Sequence, residues 1–147
     1  MRFVETESFR EVAEAVDFAM RTRWPIVVTG PAGVGKTAAI SEIARRNPRG
    51  AFVTIMPSSK SMRALLRMTC EAFGFWTERS YRDDLHDILR HQLPGAAERG
   101  RFLIVDEVQL LGGLEVLELV KFSELYQLPV VLAGNEYAVR RRRAARR

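Results

Sequence analysis

The chain has a single cysteine in 147 residues, Cys70, which excludes an internal disulfide and any metal cluster built from several thiolates. Histidine is almost as scarce. His86 and His91 lie five apart, not at the four-residue spacing that sets paired ligands on one helical face. A cation is therefore expected to arrive with a ligand that brings oxygens of its own. Long apolar runs are also missing: none nears the roughly 18 residues of a membrane-crossing helix, and the opening MRFVETESF places glutamates where a signal peptide would carry its apolar stretch. The expectation is a cytoplasmic protein with no membrane partner. Acidic residues are absent from one place in particular. The stretch RRRRAARR at 140–147 holds six of the 23 basic residues and no acid, which leaves 17 basic against 18 acidic residues elsewhere. The net charge of +5 thus belongs to a terminal tag. Such a tag can attract nucleic acid or any acidic surface without selecting a sequence, and it reads equally well as a solvated tail.

What is present describes one globular unit with a core, since 47% of residues are hydrophobic and 28% charged. Helices and strands alternate along it. SFREVAEAVDFAM sets Ser8 and Glu11 at capping-box spacing and lines Phe9, Val12, Ala13, Val16 and Met20 along one helical face. Pro25 precedes IVVT, a short apolar run ending in glycine that reads as a buried parallel strand. Residues 36–46 form the next helix, stopped by NPRG, and AFVTI is a second strand. Met62, Leu65, Leu66, Thr69 and Phe73 define a helix ending at Gly74. A shorter helix turns Leu85, Ile88 and Leu89 inward and is predicted to stop at Pro94-Gly95. Then come the strand FLIV, the helix LEVLELVKFSELYQL with poorly separated faces, and the strand VVLA after Pro129. This order predicts an α/β fold, a mostly parallel sheet with helices on both sides, in three layers.

Three motifs sit at strand ends. Gly30-Pro31-Ala32-Gly33-Val34-Gly35-Lys36-Thr37 matches the phosphate-binding loop in full, between a predicted strand and a predicted helix. Its glycines let backbone N–H groups wrap a phosphate, Lys36 reaches toward the β- and γ-phosphates of ATP, and the Thr37 hydroxyl ligates Mg2+. FLIVDE buries a strand and then presents Asp106, to hold magnesium, and Glu107, to orient and deprotonate a water. The alternative, an acidic pair capping the next helix, stays open. VVLAGN puts Asn135 just past a third strand, where an amide can bond both the attacking water and the γ-phosphate, or simply belong to a turn.

Taken together, these residues resemble the AAA+ ATPases, a P-loop NTPase family, with Walker A at 30–37, Walker B at 102–107 and sensor 1 at Asn135. FVETESFREV, DEVQLL and LPVVLAGNE are more narrowly similar to its transposition-associated branch. The resemblance covers most of residues 2–137. It implies a sensor strand lying between the two Walker strands, and an adenine pocket lined around Phe3 and Val4. It implies ATP hydrolysis by Glu107, Asn135 and Lys36, self-association into filaments on double-stranded DNA, target selection, and stimulation of a transposase. It also implies a fifth strand, an arginine finger and a helical lid after Asn135, for which twelve residues leave no room. Nor do the residues before Phe3 hold an amino-terminal helix-turn-helix. The expected organisation is accordingly an ATP-binding core at 1–139, stopping before the fifth strand and lid, and a basic tail at 140–147. Arg140, Arg141 and the two arginines after them are positional candidates for the finger, with a solvated tail as the alternative.

Other residues carry two readings each. Lys60, Arg63 and Arg67 could meet DNA phosphates or form an ordinary polar face. Gln109 could relay nucleotide state or be a surface glutamine, the plainer account. Cys70 is expected in the core. Phe75-Trp76 could mark a contact loop, and a loop anchored by buried rings is the expected case. Two further functions remain open: a small-molecule or nucleotide kinase of the P-loop class, and a non-catalytic remnant that binds nucleotide or DNA passively.

Overall fold

A computed structural model of the chain describes residues 7–30, 35–77 and 82–135. Within them, α1 (Glu7–Thr22), β1 (Ile26–Gly30), α2 (Lys36–Arg46), β2 (Gly50–Thr54), α3 (Met62–Phe73), α4 (Arg82–Glu98), β3 (Phe102–Asp106), α5 (Gly113–Tyr126) and β4 (Val130–Asn135) follow in order. A single 3-10 turn, Val108–Leu110, lies between β3 and α5.

The four strands pair in parallel in the order β1-β4-β3-β2. β3 and β4 are central, and burial on both faces explains why each is written as an unbroken apolar run. Phe102 and Ile104 of β3, with Val131 and Ala133 of β4, face Phe9, Val12 and Val16 of α1 and Ile40 and Ile43 of α2. Leu103 and Val105, with Val130 and Leu132, face Leu65 and Leu66 of α3, Leu85, Leu89 and Leu93 of α4, and Leu119 and Phe122 of α5. Alternate side chains of the same two strands thus nucleate two cores, which is the three-layer arrangement expected from the alternation of elements.

Several boundaries follow from local chemistry. The Ser61 hydroxyl accepts from the Ala64 N–H at 3.2 Å and starts α3. Gly74 ends it in the left-handed region, φ 79°, with its N–H directed to the carbonyls of Cys70 and Glu71. Cys70 is buried, as expected. Three details depart from the sequence reading. The first helix already includes Glu7, so Ser8 lies inside it rather than before it. The fourth helix does not stop at Pro94-Gly95 but runs to Glu98, with Pro94 inside. A proline there costs the helix about 3 kcal/mol. Continuing buries Leu93, Ala96 and Ala97 on the stripe begun by Leu85 and Leu89, and one buried leucine already contributes about 1.5–3 kcal/mol. Lastly, the Phe75-Trp76 pair splits. Phe75 stacks on Phe73 with ring centroids 5.4 Å apart, whereas Trp76 is 78% exposed, so only one ring anchors the loop. α5 also departs from simple amphipathicity: Leu119 and Phe122 are buried while Leu114, Leu117 and Leu125 face out.

At the amino-terminal pole of the sheet, Arg23 ties three helices together. Its guanidinium donates to the carbonyls of Ala97 and Gln127, both at 3.4 Å, and its own carbonyl accepts from the buried Ser123 hydroxyl at 2.8 Å. The opposite pole, where the strands end, holds the motif residues.

Candidate nucleotide site at the carboxyl ends of the strands

Parallel pairing places strand ends side by side. Gly30 of β1 is in register with Asn135 of β4, and Thr54 of β2 with Asp106 of β3. Every motif residue that follows a strand therefore emerges on one edge of the sheet. This is the edge at which open α/β sheets take their ligands.

The phosphate-loop end of the site begins at Gly35, whose φ of 75° lies in the left-handed region and is strained for any residue with a Cβ. It turns the chain into α2, so Lys36 and Thr37 are the first two helical residues and point toward the sheet edge from an N-terminus favourable to anions. Lys36 Nζ reaches across to donate to the Gly134 carbonyl at the end of β4, and to the Gly30 carbonyl at the end of β1, 3.4 Å away. The Thr37 hydroxyl donates to Asp106 Oδ2 at 3.1 Å.

Asp106 is 3% exposed. Its second oxygen accepts from the Glu107 N–H at 2.9 Å, so both oxygens of this buried carboxylate have partners. A hydroxyl and a carboxylate oxygen held this close are hard donors of the kind magnesium takes alongside phosphate oxygens and water. The donor set fits a magnesium–nucleotide complex, and two protein oxygens are too few to hold the cation without one.

Glu107 has φ 60° and ψ 36°, a left-handed conformation uncommon for a residue with a side chain. Such a residue costs about 1–3 kcal/mol and persists only where its surroundings enforce it. Here the enforcement is visible. The left-handed step opens the 3-10 turn, and the turn folds Gln109 back so that its Nε2 donates to Glu107 Oε2 at 2.5 Å. The same carboxamide, through Oε1, accepts from the Asn135 N–H at 3.2 Å. Gln109 is thus no surface glutamine. It is half-buried at the centre of the site, and the sequence reading that favoured a surface position is corrected. The signal for it was faint: one amide inside the otherwise apolar VQLL.

The structure brings Lys36, Thr37, Asp106, Glu107 and Asn135 to one edge of the sheet, with Gln109 among them. Lys60 precedes α3, while Arg63 and Arg67 lie on it one turn apart; the first two are exposed and Arg67 is half-buried. Phe3, Val4, Pro31, Ala32, Gly33, Val34, Arg140 and Arg141 lie outside the described residues.

A parallel sheet whose sensor-position strand lies between the loop strand and the acidic strand, with this polar set on its edge, defines a P-loop nucleotide-binding domain of the α/β class. The AAA domain family matches residues 19–142, and the chain belongs to it. Its fold is that of two archaeal proteins. Cdc6p from Pyrobaculum aerophilum superposes with a TM-score of 0.60 at 16% identity, over 90% of this chain and 39% of that one. The ORC2 protein from Aeropyrum pernix, solved as ADPNP-ADP complexes, gives 0.57 at 15% identity over 95% and 44%. In sequence the chain resembles the transposition branch. It is 33% identical over 134 residues to the ATP-dependent target DNA activator B of Escherichia phage Mu, covering 91% of this chain and 42% of that protein. It is 29% identical over 134 residues to the Mu-like prophage FluMu DNA transposition protein B of Haemophilus influenzae, covering 91% and 46%. The chain spans less than half the length of these curated relatives. Among the described residues, no helix is long and apolar enough to cross a membrane.

Proposed function

We propose that this chain is the ATP-binding and ATP-hydrolysing part of a protein that loads onto double-stranded DNA and activates a transposase. The observation that carries the reading is the 3.1 Å contact between Thr37 of the phosphate loop and Asp106 at the end of β3, with Glu107 beside it. Phosphate grip, cation site and carboxylate base then share one edge.

In this reading Lys36 exchanges its carbonyl partners for β- and γ-phosphate oxygens, and its charge offsets theirs. Thr37 and Asp106 hold magnesium, which neutralises charge at the phosphates when bound. Glu107 accepts a proton from the attacking water, and the Asn135 side chain orients that water. Phe3 and Val4 line the adenine site, with Pro31, Ala32, Gly33 and Val34 completing the backbone cradle around the phosphates. Arg140 or Arg141 reaches the nucleotide of a neighbouring copy in an oligomer or filament. Lys60, Arg63 and Arg67 meet DNA phosphates, with residues 1–139 as the core and 140–147 as a basic tail. The relatives' names, target DNA activator and DNA transposition protein, support the DNA and transposase side of the proposal.

The test is duplex binding at fixed salt with and without magnesium-ATP or a non-hydrolysable analogue. Nucleotide should tighten binding about tenfold or more, equivalent to about 1.4 kcal/mol, and Lys36→Ala should abolish the gain. Equal affinity with and without nucleotide refutes the DNA-loading mechanism.

A further inference from the structure

One peptide group links the two halves of the site. The Gly134 carbonyl accepts from Lys36 Nζ, and on the other side of the same peptide the Asn135 N–H donates to Gln109 Oε1. The carboxamide then donates through Nε2 to Glu107 Oε2 at 2.5 Å. A hydrogen-bonded chain therefore runs from the phosphate-loop lysine through the 134–135 peptide and Gln109 to the carboxylate. Peptide and carboxamide are both polarisable, and donors and acceptors in such a series strengthen one another. The space for it is reserved in the sequence: a Cβ at position 134 would stand 2.9 Å from Gln109 Oε1, so glycine is what admits the carboxamide.

We propose that Gln109 is a positioning residue that fixes the Glu107 carboxylate to the end of β4, making its placement responsive to what Lys36 holds. The proposal rests on the reading of Glu107 as the base. When Lys36 turns from the Gly134 carbonyl to a phosphate, the peptide loses a donor and its N–H becomes a weaker donor to Gln109 Oε1, which resets the carboxamide and with it the direction in which Nε2 holds the carboxylate. Glu107 stays anchored to Gln109 throughout, and what the lysine holds sets where the anchor places it.

A purely structural role would be to cap the Asn135 N–H, and substitution separates the two roles. Gln109→Glu keeps an oxygen for that N–H but turns a carboxylate on Glu107, whereas Gln109→Ala removes both contacts. In the full 147-residue chain, both variants should lower kcat about 10- to 100-fold, the scale of a misplaced catalytic group, while the Kd for a fluorescent ATP analogue stays within about threefold. Wild-type kcat in Gln109→Glu overturns the proposal. A second measurement does not depend on turnover. The Gln109 side-chain amide signals in a 15N-labelled nucleotide-free protein should move in Lys36→Met, which does not touch Gln109, and unmoved signals overturn the link. If the wild-type chain binds ATP without hydrolysing it, the base assignment fails, and the amide signals still decide whether the lysine and the glutamine are coupled.

Discussion

Gly134→Ala is the sharpest probe of how the site is built. Position 134 is an interior residue of β4 and is not in the left-handed region, so alanine meets no backbone penalty there. What it meets is contact: the new methyl would lie 2.9 Å from Gln109 Oε1 and 2.9 Å from Val108 Cγ1, with the Gln109 backbone N at 3.5 Å. The carboxamide can swing away, at the cost of its bonds to Glu107 and Asn135. Val108 is short and 5% exposed, with nowhere to go. Overpacking of this sort costs about 1–3 kcal/mol. Loss of the Asn135 N–H partner adds about 1 kcal/mol. With a urea m-value of about 2 kcal/mol/M, the midpoint should fall by about 1–2 M. ATP turnover should fall with it, since Glu107 loses its anchor. The double variant Gly134→Ala, Gln109→Ala removes half the clash and should be less destabilised than the sum of the singles, a non-additivity expected of residues in contact. A Gly134→Ala protein with an unchanged urea midpoint and unchanged kcat would refute the packing argument.

Two further outcomes come from titratable groups away from the site. Burial pushes the Cys70 thiol up to about 11, so about one molecule in a thousand carries the thiolate at pH 8; iodoacetamide should leave native protein unlabelled and label it once unfolded, and rapid native labelling would contradict the burial. Glu42 is gripped by Arg45 at 2.5 and 3.2 Å and by Arg46 at 2.8 Å, and the Arg45 hydrogen bonds, opposed by burial and aided by Arg46, hold its carboxyl down from 4.5 to about 2. A depressed folded-state pKa stabilises above the unfolded value and is lost as pH falls, so the stability gap between wild type and Glu42→Gln, from urea melts, should hold from pH 7 to 5 and close between about 4.5 and 2. A gap that persists at pH 2 would show that the ion pairs do not produce it.

The three-layer plan was legible because both central strands are buried on two faces. FLIV and VVLA could be written only as continuous apolar runs, and amphipathic helices had to cover them. Lys36, Thr37, Asp106 and Glu107 were legible for a related reason: a phosphate loop needs glycine and a strand end, and a buried strand that finishes in two acids must present them at its edge. The run of α4 through Pro94 was not legible, since a local helix breaker was outweighed by leucine and alanine burial against distant elements. Trp76 was misjudged similarly, because the adjacent Phe75 already fills the place on Phe73.

By itself, then, the order of residues determined which segments are strands, which turn wraps a phosphate, and which acids stand at strand ends, because these depend on short-range periodicity and backbone freedom. That β4 lies between β1 and β3 was expected from the family resemblance and from no local pattern, and it is tertiary packing that sets it. That placement brings the Gly134 carbonyl to Lys36 from 98 residues away and the Asn135 N–H to Gln109 across 26, so that Gln109 links Asn135 to Glu107. Contacts at such separations are selected by the joint packing of whole strands and helices, and no local propensity encodes them.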